Sequence, residues 1–467
     1  MNVLFIYPVP PGWIYYYQGI GFLSAVLKQH SHQTRLQIVS SFDKDQISSA
    51  IDECRPDLVC ISCTTNQFAL STLIAEFIYG KYRLPLVMGG IHSSFMPEES
   101  ISASGLMAIC LGEGEYPLLE LAEAMAGEND FTSIRNLWFK AGHPYTYKGA
   151  EKKVPGSGII KNPIRPLIPD LDELPYPDRD ISRHQTRSSS RLDFMAGRGC
   201  PFDCSYCFNR KYRELFPKGS NYCRTRSVSN LINEISEVAK DYPDIKRINF
   251  HDDTFNLRKT WLKDFCAQYA SSINIPFECS IEANLVDEES LRRLSAAGCR
   301  HVFIGVETGS ERQRKEVLSK KVTNRQIMSA FTWAKKYDIA TTAHFMLGIP
   351  EENESTILES VHLAREIGPS NLSVSIFYPY PGTALYDLCL AKGWISDRKV
   401  TSYFGSCVLD LPGISFKEVE NYAVLFPDLV RHSFLEGVAK AMGATKTRKL
   451  VSLGARIRKQ IRKAVLR

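Results

Sequence analysis

The chain has 467 residues, 44% hydrophobic and 23% charged, an ordinary globular composition that is too long for one typical domain. Its net charge of +6 is uneven: ten of the 57 Lys and Arg residues, and none of the 51 Asp and Glu residues, lie from Lys440 onward, leaving 47 basic against 51 acidic groups before it. No apolar run approaches the ~20 residues needed to cross a bilayer, and nucleic acid is not expected as a partner.

Residues 1–126 alternate short apolar runs with helix-length segments. The predicted strands are Val3–Tyr7, Arg35–Val39, Leu58–Ser62, Leu86–Met88 and Ala108–Leu111. The opening MNVLFIYPVPP has no basic n-region and reads as a strand, not a signal peptide. With no secretion signal, thirteen cysteines argue against a disulfide framework and for a reducing cytoplasm. Strands rich in Val, Ile and Leu predict a parallel sheet covered on both faces. Such a sheet binds ligands at the carboxyl ends of its strands. Small-residue loops lie there: Ser62-Cys63-Thr64-Thr65, Gly89-Gly90-Ile91-His92 and Gly112-Glu113-Gly114-Glu115. Cys60 and Cys63 form a C-x₂-C, but Cys60 falls inside a predicted strand and reads as a core thiol.

Residues 127–190, rich in Pro, Gly and Ser, form an extended connector. From 191 to 382 a second series follows, with strands expected at Leu192–Gly197, Arg247–Phe250, Phe277–Ile281, His301–Val306, Thr341–Leu347 and Leu372–Phe377. Helices are expected near 228–241, 260–272, 287–297, 324–337 and 354–367, with Gly298 and Gly368 just past helix ends. Residues 383–467 read as helical. In the tail, Leu450, Leu453, Ile457, Ile461 and Val465 make one apolar stripe, with Arg456, Arg458, Lys459, Arg462 and Lys463 around it. A basic amphipathic helix over 447–467 predicts peripheral contact with an anionic membrane.

The most specific signal is GRGCPFDCSYCFNR, in which Cys200, Cys204 and Cys207 stand as C-x₃-C-x₂-C. Three thiols in one loop can reach one inorganic centre. Three rather than four leave a position open, as catalytic metal sites do. Zinc sites usually add a second Cys or His pair, and none stands nearby. Gly199-Cys200-Pro201, Cys204 and the aromatic Tyr206 before Cys207 resemble the signature loop of the radical S-adenosylmethionine (SAM) enzymes. The resemblance implies a [4Fe–4S] cluster on the three cysteines and SAM chelated at the fourth iron. It also implies a flavodoxin- or ferredoxin-type electron donor. One-electron cleavage of SAM then gives a 5′-deoxyadenosyl radical, and the protein orients these groups.

Other strand ends extend the resemblance. Asp252 and Asp253 resemble the family's Asp-Asp end facing the methionine amino group. Glu307, in IGVETGS, resembles the ribose-side carboxylate, and Gly348, in MLGIP, the turn approaching adenine. Glu282 and Asn284 stand at the third strand end. Residues 1–126 resemble the cobalamin-binding domain that precedes many radical SAM modules. Ser62, Thr64, Gly89, Gly90, Gly112 and Glu113 would then line the cofactor. Where other cobalamin proteins carry Asp-x-His-x-x-Gly, this chain reads YPVPPGW, so no histidine is available below cobalt.

The expected fold is α/β: a doubly wound Rossmann-like cobalamin-binding domain, a partial (β/α)₆ radical SAM barrel and a helical C-terminal extension. The expected function is cobalamin-dependent methylation of an unactivated carbon in a lipid, isoprenoid or natural-product substrate. Cyclisation, C–C coupling and oxidation use the same radical generator and stay open. Methylthiolation of tRNA needs three further N-terminal cysteines, which Cys54, Cys60, Cys63 and Cys110 do not supply convincingly. A cobalamin sensor leaves the cysteine loop unexplained.

Overall fold

In the computed structural model, residues 1–10, 17–146, 158–182, 190–398 and 406–453 are described. The chain divides into two units: Met1–Pro201 with Phe208–Asp253, and Phe202–Cys207 with Thr254–Arg467.

In the first unit, β1 (Asn2–Pro8), β2 (Gln33–Val39), β3 (Leu58–Ser62), β4 (Leu86–Gly89) and β5 (Ala108–Cys110) are the five expected strands. They pair in parallel in the order β2-β1-β3-β4-β5. Successive side chains leave opposite faces of a strand. Val3, Phe5 and Cys60 therefore join one apolar cluster, with Ile20 and Val26 of the helix Gln18–Gln29. Leu4, Ile6 and Ile61 join another, with Ile47 of Lys44–Cys54 and Ile74 of Phe68–Tyr82. Both faces are covered, which is why the strands read as unbroken apolar runs. Cys60 lies in this core, and burial pushes its thiol above the ordinary range.

The connector departs from expectation. β6 (Leu137–Lys140) and β7 (Ile159–Lys161) extend the sheet antiparallel to seven strands. The Pro, Gly and Ser content around them masks the two-residue alternation of Leu137 and Phe139, both buried.

β8 (Arg191–Phe194), β9 (Gly197–Arg198), β10 (Arg224–Thr225) and β11 (Arg247–Phe250) complete the unit; β8 runs parallel to β11 and β9 antiparallel to β10. The single strand expected over Leu192–Gly197 thus breaks after Phe194. Gly197 passes so close to β10 that a Cβ there would lie 2.6 Å from the Arg224 carbonyl oxygen. Under β8 the buried Glu234, on the helix Val228–Asp241, pairs with Arg179 at 3.0 Å and with Arg226. Arg179 also donates to the Asp193 carbonyl at 2.9 Å, which ties this helix to the strand.

The second unit holds β12 (Phe277–Ile281), β13 (Cys299–Glu307), β14 (Ala340–Leu347) and β15 (Asn371–Ile376), paired in parallel in that order. Helices Glu288–Ala296, Asn324–Lys336 and Glu354–Ile367 alternate with them. Thr323 with Gln326 and Asn353 with Thr356 form capping boxes that satisfy first-turn amides. Gly368 ends the last of these helices in the left-handed region, at φ 52°. Helices Ala384–Ala391, Phe416–Arg431 and Phe434–Met442 follow.

Leu450 and Leu453 are exposed on a further helical stretch over 444–453. Arg456, Ile457, Arg458, Lys459, Ile461, Arg462, Lys463 and Val465 lie outside the described residues. Among the described residues no helix is long and apolar enough to cross a membrane.

Candidate active site

The strand ends of the first unit open on a cavity of about 420 Å³. Ser62 ends β3, Gly89 and Gly90 follow from β4, and Gly112 and Glu113 follow β5; all five line the cavity. Thr64 is not among the lining residues. The wall is completed from later in the chain, by Arg198, Gly199, Asn209, Arg224, His251 and Asp253 among others. Gly199, directly before Cys200, adopts φ +88°, and a Cβ on it would stand 2.4 Å from the Tyr222 carbonyl oxygen. Only glycine allows this crossing.

Charge on the wall is paired within the protein. Glu113 accepts from Arg198 at 3.0 Å and from Arg224 at 2.7 Å. Burial alone would raise the Glu113 carboxyl, but the two arginines hold it below its ordinary value. His251 Nε2 lies 3.0 Å from Asp193 Oδ1. Of the adjacent acids after β11, Asp252 accepts the Ala196 amide at 3.0 Å, while Asp253 lines the cavity. Burial pushes Asp252 up to about 7 and also raises Asp253, against an opposing hydrogen bond from Asn209.

In the second unit, Cys204 and Cys207 flank a tight turn closed by the Cys207 amide on the Cys204 carbonyl, at 3.1 Å. Ser205 pins it from two sides: its amide and hydroxyl donate to Leu318 and Val317 carbonyls, and its carbonyl accepts from Leu385. Burial pushes the Cys204 thiol up to about 12. The Tyr206 hydroxyl donates to Glu307 Oε1 at 3.1 Å. Glu307 ends β13 with φ 67°, a left-handed conformation that costs a side chain about 1–3 kcal/mol. The β13–β14 register shifts there, between Gly305 and Glu307.

Lys320 donates to Glu282 Oε2 at 2.7 Å. The other Glu282 oxygen, Oε1, and Asn284 Oδ1 are both buried without a hydrogen-bond partner. Two orphaned acceptors at one strand end are what a ligand bearing hydroxyl or ammonium donors would satisfy. Gly348, at φ +78°, donates its amide to the buried Glu352, whose carboxyl burial raises to about 8.

The structure therefore joins Tyr206 to Glu307 directly and gathers Ser62, Gly89, Gly90, Gly112, Glu113 and Asp253 on one cavity. Asp252 turns instead to a backbone amide. Arg198, Arg224 and Lys320 were missed, because single basic residues at no fixed spacing carry no sequence signal. Among the described residues no three His, Cys, Asp or Glu side chains converge to hold a single metal ion. A cubane gives each thiolate a different iron.

Sheets of this kind hold ligands at the carboxyl ends of their strands, where the charged and glycine-rich residues of this chain lie. Comparison with known proteins names the class. The Radical SAM superfamily model matches residues 195–364, and the B12 binding domain model matches residues 14–122. An uncharacterized methyltransferase of Pyrococcus horikoshii is 27% identical over 390 residues, 80% of this chain and 78% of its own. The anaerobic magnesium-protoporphyrin IX monomethyl ester cyclase of Rubrivivax gelatinosus is 24% identical over 411 residues, 83% of this chain and 69% of its own. The radical SAM methyltransferase TsrM of Kitasatospora setae, solved with cobalamin and a [4Fe–4S] cluster bound, shares the fold. It aligns with a TM-score of 0.67 at 18% identity, over 84% of this chain and 75% of its own. The chain carries a radical SAM domain and, before it, a B12-binding domain. Its cofactors are a [4Fe–4S] cluster, SAM and cobalamin. The orphaned oxygens of Glu282 and Asn284, and the strand-end cavity of the first unit, fit SAM and cobalamin respectively.

Two outcomes are expected. Replacing Cys200, Cys204 and Cys207 together by Ala leaves anaerobically reconstituted protein without its ~4 irons and without SAM cleavage. Retained charge-transfer absorbance in that variant excludes these ligands. The second concerns pH. The folded Glu352 carboxyl sits near 8 against an ordinary 4.5, so the folded state binds its proton more tightly than the unfolded chain. This contribution to stability is full below the unfolded value and is lost as pH rises through about 8. Glu352→Gln should flatten the fall in Tm between about pH 6 and 8; an unchanged slope would remove Glu352 as its cause.

Proposed function

We propose that this protein methylates an unactivated carbon of a lipid, isoprenoid or natural-product substrate. The observation that carries the reading is the first-unit cavity, where the strand-end loops Ser62, Gly89–Gly90 and Gly112–Glu113 share one space with Gly199 and Asp253. A B12 site and the start of the cysteine loop thus border the same volume. When bound, the cluster and SAM supply one-electron cleavage, and cobalamin supplies a transferable methyl group.

The chain's own residues hold and orient. Cys200, Cys204 and Cys207 are the metal ligands. Tyr206, Asp253, Glu282, Asn284, Glu307 and Gly348 contact SAM, with Lys320 setting Glu282 so that one of its oxygens faces the ligand, while Asp252 is held on the Ala196 amide. Ser62, Gly89, Gly90, Gly112 and Glu113 surround cobalamin, Thr64 follows in the same loop without lining the cavity, and no histidine supports cobalt from below. The domains are 1–126 for cobalamin, 127–190 as connector, 191–382 for the radical SAM module and 383–467 as C-terminal region. A flavodoxin- or ferredoxin-type protein donates the electron, in a reducing cytoplasm. Ring closure is the second reading, favoured by the Rubrivivax gelatinosus cyclase relative.

The two readings differ in SAM stoichiometry. Methylation consumes one SAM as methyl donor and one as radical source. With methyl-labelled SAM, a reductant and an extract of source-cell lipids or small metabolites, methylation gives S-adenosylhomocysteine and 5′-deoxyadenosine in comparable amounts and a labelled product. 5′-Deoxyadenosine with no label transferred points to cyclisation instead. The basic tail bears on the substrate. Each Lys or Arg near an anionic surface contributes ~1 kcal/mol, screened by salt. Truncation after Lys446 should release the protein from anionic vesicles while SAM cleavage persists. Full-length protein that ignores such vesicles at low salt removes the argument for a lipid substrate.

A further inference from the structure

Glu113 stands in the loop assigned to cobalamin, yet its carboxylate is fully occupied by the protein. Oε1 accepts from Arg198 at 3.0 Å and Arg224 at 2.7 Å. Oε2 accepts from Arg224 at 3.0 Å and from the Ile168 amide at 3.2 Å. The second Arg198 nitrogen donates to Glu115 at 2.7 Å, and Arg224 donates to the Ile168 carbonyl at 2.7 Å. None of the four charged side chains is more than 15% exposed. Two arginines against two glutamates leave no net charge, so the set is no anion site. Its effect is mechanical.

The set ties together two elements with different duties. Glu113 and Glu115 belong to the loop after β5, on the cavity that takes cobalamin. Arg198 belongs to β9 and Arg224 to its partner β10. Two residues beyond Arg198 is Cys200, reached through Gly199, which is held against Tyr222. A buried ion network has few intermediate arrangements, because moving one member strands a charge. Gly112, at φ +73°, and Gly114 stand on either side of Glu113; the Gly112 amide donates to the Ser94 hydroxyl at 3.0 Å and Asn136 donates to the Glu113 carbonyl at 3.2 Å. We infer that Glu113, Arg198 and Arg224 are positioning residues that link cobalamin occupancy to the placement of Cys200, so that cobalamin and the iron–sulfur cluster strengthen each other's binding. The inference rests on the assignment of cobalamin to this cavity. A ligand that orders the loop lowers the entropic cost of ordering the hairpin, and the coupling acts equally in both directions.

The test uses full-length protein under anaerobic conditions, with and without the reconstituted cluster. Hydroxocobalamin is titrated by absorbance, and the reduced cluster is followed by electron paramagnetic resonance. In the native sequence the cluster should tighten cobalamin binding on the order of fivefold or more, and cobalamin should shift the cluster's resonance. In Glu113→Gln the affinity ratio should fall to about one and the shift disappear, whatever the variant's own affinity for each group. A merely structural role would lower Tm without removing the linkage. Should Glu113→Gln fail to fold, Arg198→Lys keeps the charge but loses the fork that reaches both glutamates, and it should reduce the ratio. Glu120→Gln, which breaks only the more exposed pair with Arg165, should leave the ratio intact. Equal affinities with and without the cluster in the native sequence, or an undiminished ratio in the folded Glu113 or Arg198 variant, overturn the inference. Native protein that takes up no cobalamin in either form overturns the cobalamin assignment itself.

Discussion

Burying carboxyl groups at the ends of parallel strands is a constraint that each of the two units obeys. Asp252 and Asp253 follow β11, Glu282 follows β12, Glu307 ends β13, and Glu352 lies in the turn after β14. Burial raises the carboxyl of all five. A carboxylate taken from water must find donors. Each of the five has a near one: the Ala196 amide, Asn209, Lys320, Tyr206 and the Gly348 amide, in that order. These donors satisfy part of each group's capacity and fix its direction. The remainder, such as Glu282 Oε1, is left for a ligand. The same burial that costs stability creates the binding capacity.

Glu307 shows how the fold sustains such a group. Its left-handed backbone is unfavourable for a side chain, and it persists because its flanks are held. Arg314, with no exposed surface, donates to the carbonyls of Val306 and Thr308 on either side of it. Arg314 also reaches the Val322 carbonyl and Asn324, at the start of the helix Asn324–Lys336. One buried guanidinium thus sets the carbonyls around the strained residue, whose side chain meets Tyr206 of the cysteine loop. Five donors in a planar fork make this possible, and a lysine could not do the same.

What the sequence made legible follows from period and chemistry. Alternating apolar runs gave the parallel strands, because a strand buried on both faces must be apolar throughout, as Val3–Ile6 are. Cysteine spacing carried the family resemblance, because three thiols within eight residues of chain can reach one centre. Helix ends were readable where glycine must adopt positive φ, at Gly368. The strands Leu137–Lys140 and Ile159–Lys161 were not, since three or four residues inside a Pro- and Gly-rich stretch hold too little alternation to detect. The buried cations Arg198, Arg224, Arg314 and Lys320 were invisible for another reason. Each meets a carboxylate or carbonyl through the fold, as Arg224 meets Glu113 across 111 residues. No local pattern marks such a pair.

The same division separates two kinds of residue at these strand ends. Side chains proposed to meet SAM or cobalamin are constrained twice, once by the cofactor and once by their protein partners. Changing Glu282 leaves Lys320 without its carboxylate, and changing Glu113 does the same to Arg224. Much of the rest of the first-unit cavity is apolar wall, from Phe5, Phe22 and Leu118 among others. Those residues obey only volume and hydrophobicity, and cores tolerate exchange on those terms. The wall can therefore change shape without disturbing a buried charge, while the charged strand ends are fixed by electrostatics.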